Sequence, residues 1–125
     1  MTIVQSHRDL IVWQKAMDLA EVVYGLAAEF PQKETYRLGS QATRAAASVP
    51  ANIAEGNARG TKRDYANFLS VAKGSLMETE TFLMLAVRLK YISQAETSTA
   101  LVLVTEVSKM LTSLRNRLKE GVDQR

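Results

Sequence analysis

The sequence predicts an all-α protein, an antiparallel up-down-up-down four-helix bundle, and three observations support this prediction. Apolar residues recur every three or four positions along four long segments, 10–30, 34–58, 62–91 and 94–120. No segment alternates apolar and polar residues in the manner of a β-strand. Each connection is too short to cross over a bundle, so successive helices should run antiparallel. We expect residues 1–125 to form a single domain.

Composition excludes several classes of site. The chain has 125 residues, of which 46% are hydrophobic and 23% charged, and its net charge is +3. It has no cysteine, which excludes disulfides, thiolate metal sites and a cysteine nucleophile. A single histidine, His7, is too few for a histidine metal cluster or for most catalytic triads. Because no signal-peptide core or long apolar run occurs, we expect a cytoplasmic protein without a membrane span.

Helix one, residues 10–30, is predicted to be amphipathic, with Trp13 in the core. Asp9 is positioned to cap its N-terminus, and Pro31 should end it. The apolar positions on the predicted core face are Leu10, Trp13, Ala16, Met17, Ala20, Val23, Tyr24 and Ala27.

Helix two, residues 34–58, carries a polar stripe beside an alanine-rich core face. The stripe spans roughly 80° of the helical wheel. Its members are Arg37, Gln41, Arg44, Ser48, Asn52, Glu55 and Arg59. The core candidates beside it are Leu38, Ala42, Ala45, Ala46, Val49 and Ile53. Small residues allow close approach of a neighbouring helix, whereas Pro50 predicts a kink at a cost of ~3 kcal/mol.

The stripe is open to two interpretations, a solvated face or a structural or binding seam. We expect Arg44, Asn52 and Glu55 to be structural and to tie helix two to a neighbouring helix. Arg44, Ser48 and Asn52 follow one another at one-turn spacing, so their side chains can share a partner such as Glu78. Asn52 is expected to satisfy the carbonyl that Pro50 leaves without its usual backbone donor. A ligand site on the same row is the alternative.

Helix three, residues 62–91, is predicted to begin at a capping box of Thr61 and Asp64, after Gly56 and Gly60 loosen the end of helix two. Its core face comprises Tyr65, Phe68, Leu69, Ala72, Leu76, Thr79, Leu83, Ala86 and Val87. A second, mixed stripe suggests a subunit interface, with a broadened core as the alternative. This stripe comprises Ser75, Glu78, Phe82 and Leu85.

Helix four, residues 94–120, should begin at a second capping box, formed by Ser93 and Glu96. Its apolar residues have near-heptad spacing. They are Leu101, Val104, Val107, Leu111, Leu114 and Leu118.

The predicted topology collects basic residues at one end of the bundle. This end contains the N-terminus, the turn between helices two and three, and the C-terminus, and its local charge balance is +3. Its basic residues are Arg8, Arg59, Lys62, Arg63, Arg115, Arg117, Lys119 and Arg125. Such an end attracts phosphates, and we predict salt-sensitive nucleic-acid binding by Arg59, Lys62, Arg63, Arg115, Arg117 and Lys119. The alternative is that these residues only offset helix dipoles and maintain solubility.

The sequence also resembles a known family. Trp13 and Ala16, the segment 30–60 and the segment 65–81 are similar to the four-helix bundle proteins encoded in intervening sequences of bacterial 23S rRNA genes. The most specific part is Q-x-x-R-A-A-x-S-V-P-x-N-I-A-E-G, residues 41–56. The family's signature residues then fall on Gln41, Arg44, Ser48, Pro50, Asn52, Glu55, Gly56, Ser75 and Glu78.

The resemblance implies a homo-oligomer, with a pentameric barrel favoured, and no known enzymatic activity. Related bundles include an accessory protein of retroelements that mutate DNA by reverse transcription, which binds nucleic acid and a reverse transcriptase. Neither a Glu-x-x-His metal motif nor a phosphate-binding glycine loop occurs, so we expect no cofactor, metal or small-molecule substrate. The leading hypothesis is a non-enzymatic accessory or scaffold module that binds RNA or DNA. The alternative is a protein-only structural oligomer.

Overall fold

The computed structural model describes residues 6–123, without the side chains of Asp9 and of residues 121–123. It contains four α-helices, α1 (Ile11–Ala27), α2 (Leu38–Ala58), α3 (Lys62–Arg88) and α4 (Gln94–Asp123). Successive helices pack on one another, and α4 returns to pack on α1, which closes an antiparallel bundle. The predicted four-helix fold is therefore confirmed. Within residues 6–123, none of the helices has an apolar segment long enough to cross a bilayer.

The start of α1 differs from the prediction. Its N-cap is Leu10, whose side chain makes no capping hydrogen bond. Asp9 instead ends a separate 3-10 turn, His7–Asp9, so the prediction that Asp9 caps the helix was wrong. The short turn has its own cap, because Ser6 Oγ accepts a hydrogen bond from the N–H of Arg8 at 3.2 Å.

The buried face of α1 is displaced from the predicted one. Met17 and Tyr24, which were expected in the core, are exposed. Trp13 is half-buried at the margin of the core, edge-to-face with His7 at a ring-centroid distance of 5.0 Å. The helix has apolar residues around much of its circumference, so its contacts with α2 and α4 select the buried face. The buried residues are Val12, Ala16, Leu19, Val23 and Leu26.

The other three helices bury the faces that their periodicity predicts. All six core candidates of α2 are buried. The predicted face of α3 is buried from Leu69 to Ala86, and Tyr65 and Phe68 are half-buried where α3 begins. In α4 the buried positions are Thr97, Ala100, Val104, Val107 and Leu111. The predicted core residues Leu101, Leu114 and Leu118 are half-buried.

The connection between α1 and α2 is longer than predicted, and α2 begins at Leu38. Residues Gln32–Glu34 form a 3-10 turn instead of the first turn of the helix. The buried side chain of Glu34 accepts two hydrogen bonds, one from the N–H of Leu38 at 3.3 Å and one from the hydroxyl of Tyr91 at 2.7 Å. It satisfies an amide at the start of α2 and joins this turn to the turn between α3 and α4.

The C-terminus of α3 forms a Schellman motif without glycine. Lys90 has a left-handed φ of 64°, and its N–H donates to the carbonyl of Val87 at 2.9 Å. The N–H of Tyr91 donates to the carbonyl of Ala86 at 3.0 Å. The helix therefore ends at Arg88, before the predicted end at residue 91.

The N-cap residues predicted for α3 and α4 both accept a backbone hydrogen bond at the start of their helix. Thr61 Oγ1 accepts the N–H of Asp64 at 3.1 Å where α3 begins. Before α4, Ser93 Oγ accepts the N–H of Glu96 at 3.0 Å, and Glu96 Oε1 accepts the N–H of Ser93 at 2.9 Å. The second pair is a complete capping box.

The helices α2 and α3 pack more extensively than any other pair. Gly56 is buried between them, and a Cβ atom on it would lie 2.8 Å from Phe68 Cβ and 3.0 Å from Tyr65 Cδ1. The expectation that Gly56 loosens the end of α2 was wrong, because it lies inside the helix and permits this close contact. α2 continues through the buried Pro50 as one helix, and the kink stays a prediction.

Candidate functional site

A polar groove runs between α2 and α3 where the family's signature residues meet. It has a volume of 420 Å³. We call this surface the polar groove; it is lined by Gln41, Arg44, Ala45, Ser48, Ser75, Glu78 and Phe82. Residues on α2 supply one wall and residues on α3 the other, so the groove exists only because the two helices pack closely.

Hydrogen bonds between small polar side chains form the floor of the polar groove. Ser48 Oγ and Ser75 Oγ lie 2.9 Å apart and join the two helices. Asn52 Nδ2 donates to both the carbonyl and the Oγ of Ser48, at 2.8 and 2.9 Å. Thr79, which is fully buried, donates to the carbonyl of Ser75 at 2.8 Å. This short network holds the stripe of α2 against α3.

The network gives Asn52 a different role from the predicted one. Ser48 connects α2 to α3 through Ser75, and Asn52 supports Ser48 from within α2. Asn52 donates to the carbonyl of Ser48, however, and not to the carbonyl four residues before Pro50. Asn52 occupies the position one turn after Ser48, so the Ser48 carbonyl is the acceptor within its reach.

The charged residues of the polar groove lie on its exposed rim. Gln41, Arg44 and Glu78 are all exposed. Among the residues that the structure describes, no ion pair includes Arg44 or Glu78, so the predicted pairing between them was wrong. The floor of the polar groove is thus a structural seam, whereas its rim presents Arg44 and Glu78 to solvent. Glu55, which was also expected to tie α2 to its neighbour, is exposed and pairs instead with Arg59 at the end of α2.

The mixed stripe predicted on α3 follows one edge of the polar groove. Ser75 is buried, Phe82 is half-buried and Leu85 is 42% exposed. Val71 and Leu89, at matching heptad positions on either side, are also exposed. The stripe therefore combines a structural serine with apolar side chains that remain accessible.

The basic end of the bundle is only partly a free cationic surface. We use the term basic end for the six residues predicted to bind nucleic acid. Five of them, Arg59, Lys62, Arg63, Arg117 and Lys119, are exposed, whereas Arg115 is half-buried. Arg8 is exposed at the same end, and Arg125 lies outside the described residues.

Arg59 lies between a carboxylate and an aromatic ring. Its guanidinium is 3.6 Å from the Glu55 carboxylate and 4.7 Å from the centroid of the Phe68 ring. Phe68 therefore lies among the basic residues, although the sequence analysis placed it only on the core face of α3. Phe68 comes under Arg59 through the crossing of α2 and α3, and periodicity within one helix does not reveal such a contact.

The opposite end of the bundle contains a carboxylate that the sequence analysis missed. The hydrogen bond from Tyr91 is the main reason that the pKa of Glu34 lies below its ordinary value, with further contributions from the Leu38 amide and the Arg37 guanidinium. The same hydrogen bond raises the pKa of Tyr91. Its ring packs on Phe30 at a centroid distance of 5.9 Å. These contacts lock two turns together.

Metal binding finds no support in the geometry of the described part of the chain. Within it, no three His, Asp or Glu side chains come together closely enough to hold an ion. The polar groove and the basic end instead offer hydrogen bonds, charge and apolar contacts, which suit the recognition of a macromolecule.

The chain matches one protein family over most of its length. Residues 8–113 match the family model described as 23S rRNA-intervening sequence protein. Among solved structures, the chain is similar to a protein of unknown function from the S23 ribosomal protein family of Bacteroides thetaiotaomicron. The two share 26% identity with a TM-score of 0.78, over 84% of this chain and 98% of that chain. No curated protein matches the chain.

Proposed function

The chain belongs to the 23S rRNA-intervening sequence protein family, and we propose that it is a non-enzymatic, homo-oligomeric accessory protein that binds RNA or DNA in the cytoplasm. The observation that carries this proposal is the group of five exposed basic residues at one end of the bundle. Side chains of this kind bind phosphates without reading base sequence. We therefore expect weak binding with little sequence preference and strong dependence on salt.

Arg59 and Phe68 add a second type of contact to the basic end. A guanidinium that already lies over an aromatic ring is held in a defined orientation. Its remaining donors can meet a phosphate without a large loss of side-chain freedom. Phosphate contacts should dominate all the same, because the Phe68 ring is half-buried and Arg59 covers one of its faces, which limits base stacking.

The polar groove and the stripe beside it support self-association. Arg44 and Glu78 present opposite charges on the same surface, so copies of the chain can satisfy one another's charged groups. Phe82, Leu85 and Leu89 supply apolar area along the same edge. We propose that this face joins subunits, in a pentamer as the family resemblance implies.

A protein-only role is the second candidate. It is favoured by the large apolar side chains that are exposed on α3 and at its C-terminal cap, because an exposed apolar patch marks an interaction surface. They are Val71, Met77, Met84, Leu85 and Leu89. In this case the apolar surface binds another protein, and the basic end only maintains solubility.

Charge reversal at the two ends of the bundle tests nucleic-acid binding. The double variant Arg63→Glu with Arg117→Glu should weaken binding of a labelled structured RNA and of a duplex DNA at low salt, measured by filter binding. Lys33→Glu with Arg88→Glu is the matched control, because it changes net charge equally at the opposite end. Equal weakening by both pairs would contradict a site at the basic end. Absence of binding by the parent protein would favour the protein-only role.

Light scattering behind a sizing column tests self-association. The parent protein should have several times the 13.8 kDa mass of one chain. Arg44→Glu should reduce this mass, and the combination with Glu78→Arg should restore it if the two residues pair between subunits. A monomeric parent at micromolar concentration would contradict the proposed oligomer.

A further inference from the structure

A line of cationic side chains follows the seam between α3 and α4, beginning at the basic end and reaching toward the middle of the bundle. Lys73 Nζ donates to Thr112 Oγ1 at 2.7 Å, and this bond joins the two helices. Arg115 lies one turn after Thr112 on the same face of α4. We call Lys73, Thr112 and Arg115 the cationic seam.

Arg115 is the second cation of the cationic seam. Its side chain is half-buried, and Nε is closed off from solvent. Nε has no hydrogen-bond partner among the residues that the structure describes. A buried donor without an acceptor is costly, and a charged group is more costly still. The terminal guanidinium nitrogens are not closed off in this way and can meet a ligand.

Lys73 has a neutral partner only. Its side chain is half-buried, and the Thr112 hydroxyl accepts its hydrogen bond. In the part of the chain that the structure describes, no carboxylate lies within ion-pair distance of Lys73 or Arg115. Two cations are therefore partly removed from water along one seam, and neither is neutralised.

Nearby carboxylates are directed elsewhere. Glu106 on α4 pairs with Lys15 of α1, on the far side of the helix. Glu80 is on the same face of α3 as Lys73 but lies two turns further along, about 10 Å away. Glu120 is exposed near the end of α4. An anion that enters the cationic seam would thus contact the two cations, Lys73 and Arg115, before any carboxylate.

We propose that the cationic seam binds a phosphate oxyanion and that its natural source is the phosphodiester backbone of a nucleic acid. This inference rests on the proposed nucleic-acid role, which it deepens by naming two residues, Lys73 and Thr112, outside the predicted set. The Arg115 guanidinium and the Lys73 ammonium donate charge-assisted hydrogen bonds to the phosphate oxygens. The exposed Lys62 and Lys119, at the open end of the same seam, guide the strand toward it.

Methionine variants separate this seam from general charge. Lys73→Met and Arg115→Met each remove one charge while retaining side-chain length and apolar contacts. Lys109→Met is the matched control, because Lys109 is an exposed cation of α4. Circular dichroism should verify that each variant is folded. Arg115→Lys keeps the charge but not the fork of donors, and its affinity should fall between those of the parent and Arg115→Met.

The first assay measures fluorescence anisotropy of a labelled oligouridine across a salt series. Lys73→Met and Arg115→Met should each weaken binding about tenfold and lower the slope of log K against log salt by about 0.7 per lost phosphate contact. Lys109→Met should do neither. If the seam variants and Lys109→Met have the same affinity and salt slope, the nucleic-acid phosphate does not bind at the cationic seam.

The second assay measures melting temperature with inorganic phosphate, using chloride at equal ionic strength as the control. The parent protein should be stabilised by phosphate, and Lys73→Met with Arg115→Met should lose that stabilisation. If the parent does not bind oligouridine but does show this difference, the seam is an oxyanion site for a free phosphate and the nucleic-acid role is wrong. If phosphate stabilises the double variant and the parent equally, the cationic seam does not bind oxyanions and the inference fails.

Discussion

Gly56→Ala tests whether close packing of α2 on α3 stabilises the bundle. Alanine is the better helix former, and in an open helix interior this change adds about 1 kcal/mol to the free energy of unfolding. Gly56 is not in an open position. The new methyl group would lie 2.8 Å from Phe68 Cβ, 3.0 Å from Tyr65 Cδ1 and 3.3 Å from the Tyr65 carbonyl oxygen.

The size of the expected destabilisation depends on which atoms the new methyl group would contact. Carbon atoms in contact are normally about 3.5–4.0 Å apart, so the shortfall at Phe68 Cβ is close to 1 Å. A Cβ atom is fixed to its backbone, and rotation of the side chain does not relieve the contact. The helices must separate, which places the cost near the upper end of the ~1–3 kcal/mol typical of overpacking. After the gain in helix propensity, Gly56→Ala should destabilise the protein by about 1–2 kcal/mol.

Gly74→Ala is the matched control for this measurement. Gly74 lies inside α3 and is exposed, and a methyl group added to it would meet no side chain or neighbouring helix within 4 Å. It should therefore raise the free energy of unfolding by about 1 kcal/mol. Urea titrations and thermal melts of the two variants should move in opposite directions. If Gly56→Ala stabilises the protein as much as Gly74→Ala does, the contact between α2 and α3 has room for a methyl group, and close packing at Gly56 is refuted.

Three further predictions concern hydrogen bonds and backbone conformation. Lys90→Gly should stabilise the protein by about 1 kcal/mol, because glycine adopts the left-handed conformation with less strain; an unchanged thermal melt would contradict this. Tyr91→Phe should destabilise the protein most at neutral pH. The hydrogen bond from Tyr91 lowers the pKa of Glu34, so the folded protein gains stability above the ordinary Glu34 pKa of 4.5. That stability is lost as the pH falls through the lower Glu34 pKa of the folded protein. A difference between parent and variant that does not shrink in acid would refute that role for the hydrogen bond. Ser48→Ala and Asn52→Ala should each cost about 1 kcal/mol, and the double variant should cost less than the sum because the two residues share hydrogen bonds; additive losses in a double-mutant cycle would show that they act independently.

The spacing of residues along α2 predicts the position of the polar stripe but not the burial of its members. The stripe on α2 could be placed by helical periodicity, since that depends only on the spacing of residues along one helix. Which of its members are buried depended on a second helix. Ser48, on the floor of the polar groove, and Asn52, which bonds to it, are half-buried, whereas Arg44 is exposed on the rim. The difference arises because α3 covers one edge of the stripe more than the other.

Long-range contacts account for the residues that the sequence analysis missed. Glu34 and Tyr91 are far apart in the chain and lie on different connections. Lys73 and Thr112 meet through the register of α3 on α4. A pattern within one helix carries no information about either contact, because the register depends on packing between helices.

Residue spacing along the chain was enough to establish the number of helices, their antiparallel order, the N-terminal caps of α3 and α4 and the core faces of α2, α3 and α4. These features depend on local capping and on the positions of apolar residues within one segment. Packing between helices, in contrast, selected the apolar face of α1 that is buried, the residue where α2 begins and the residue where α3 ends. It also left Arg115 half-buried between helices while Lys62 and Lys119 are exposed. Burial, helix register and the partners of charged groups are properties of two surfaces in contact, and one helix specifies only its own surface.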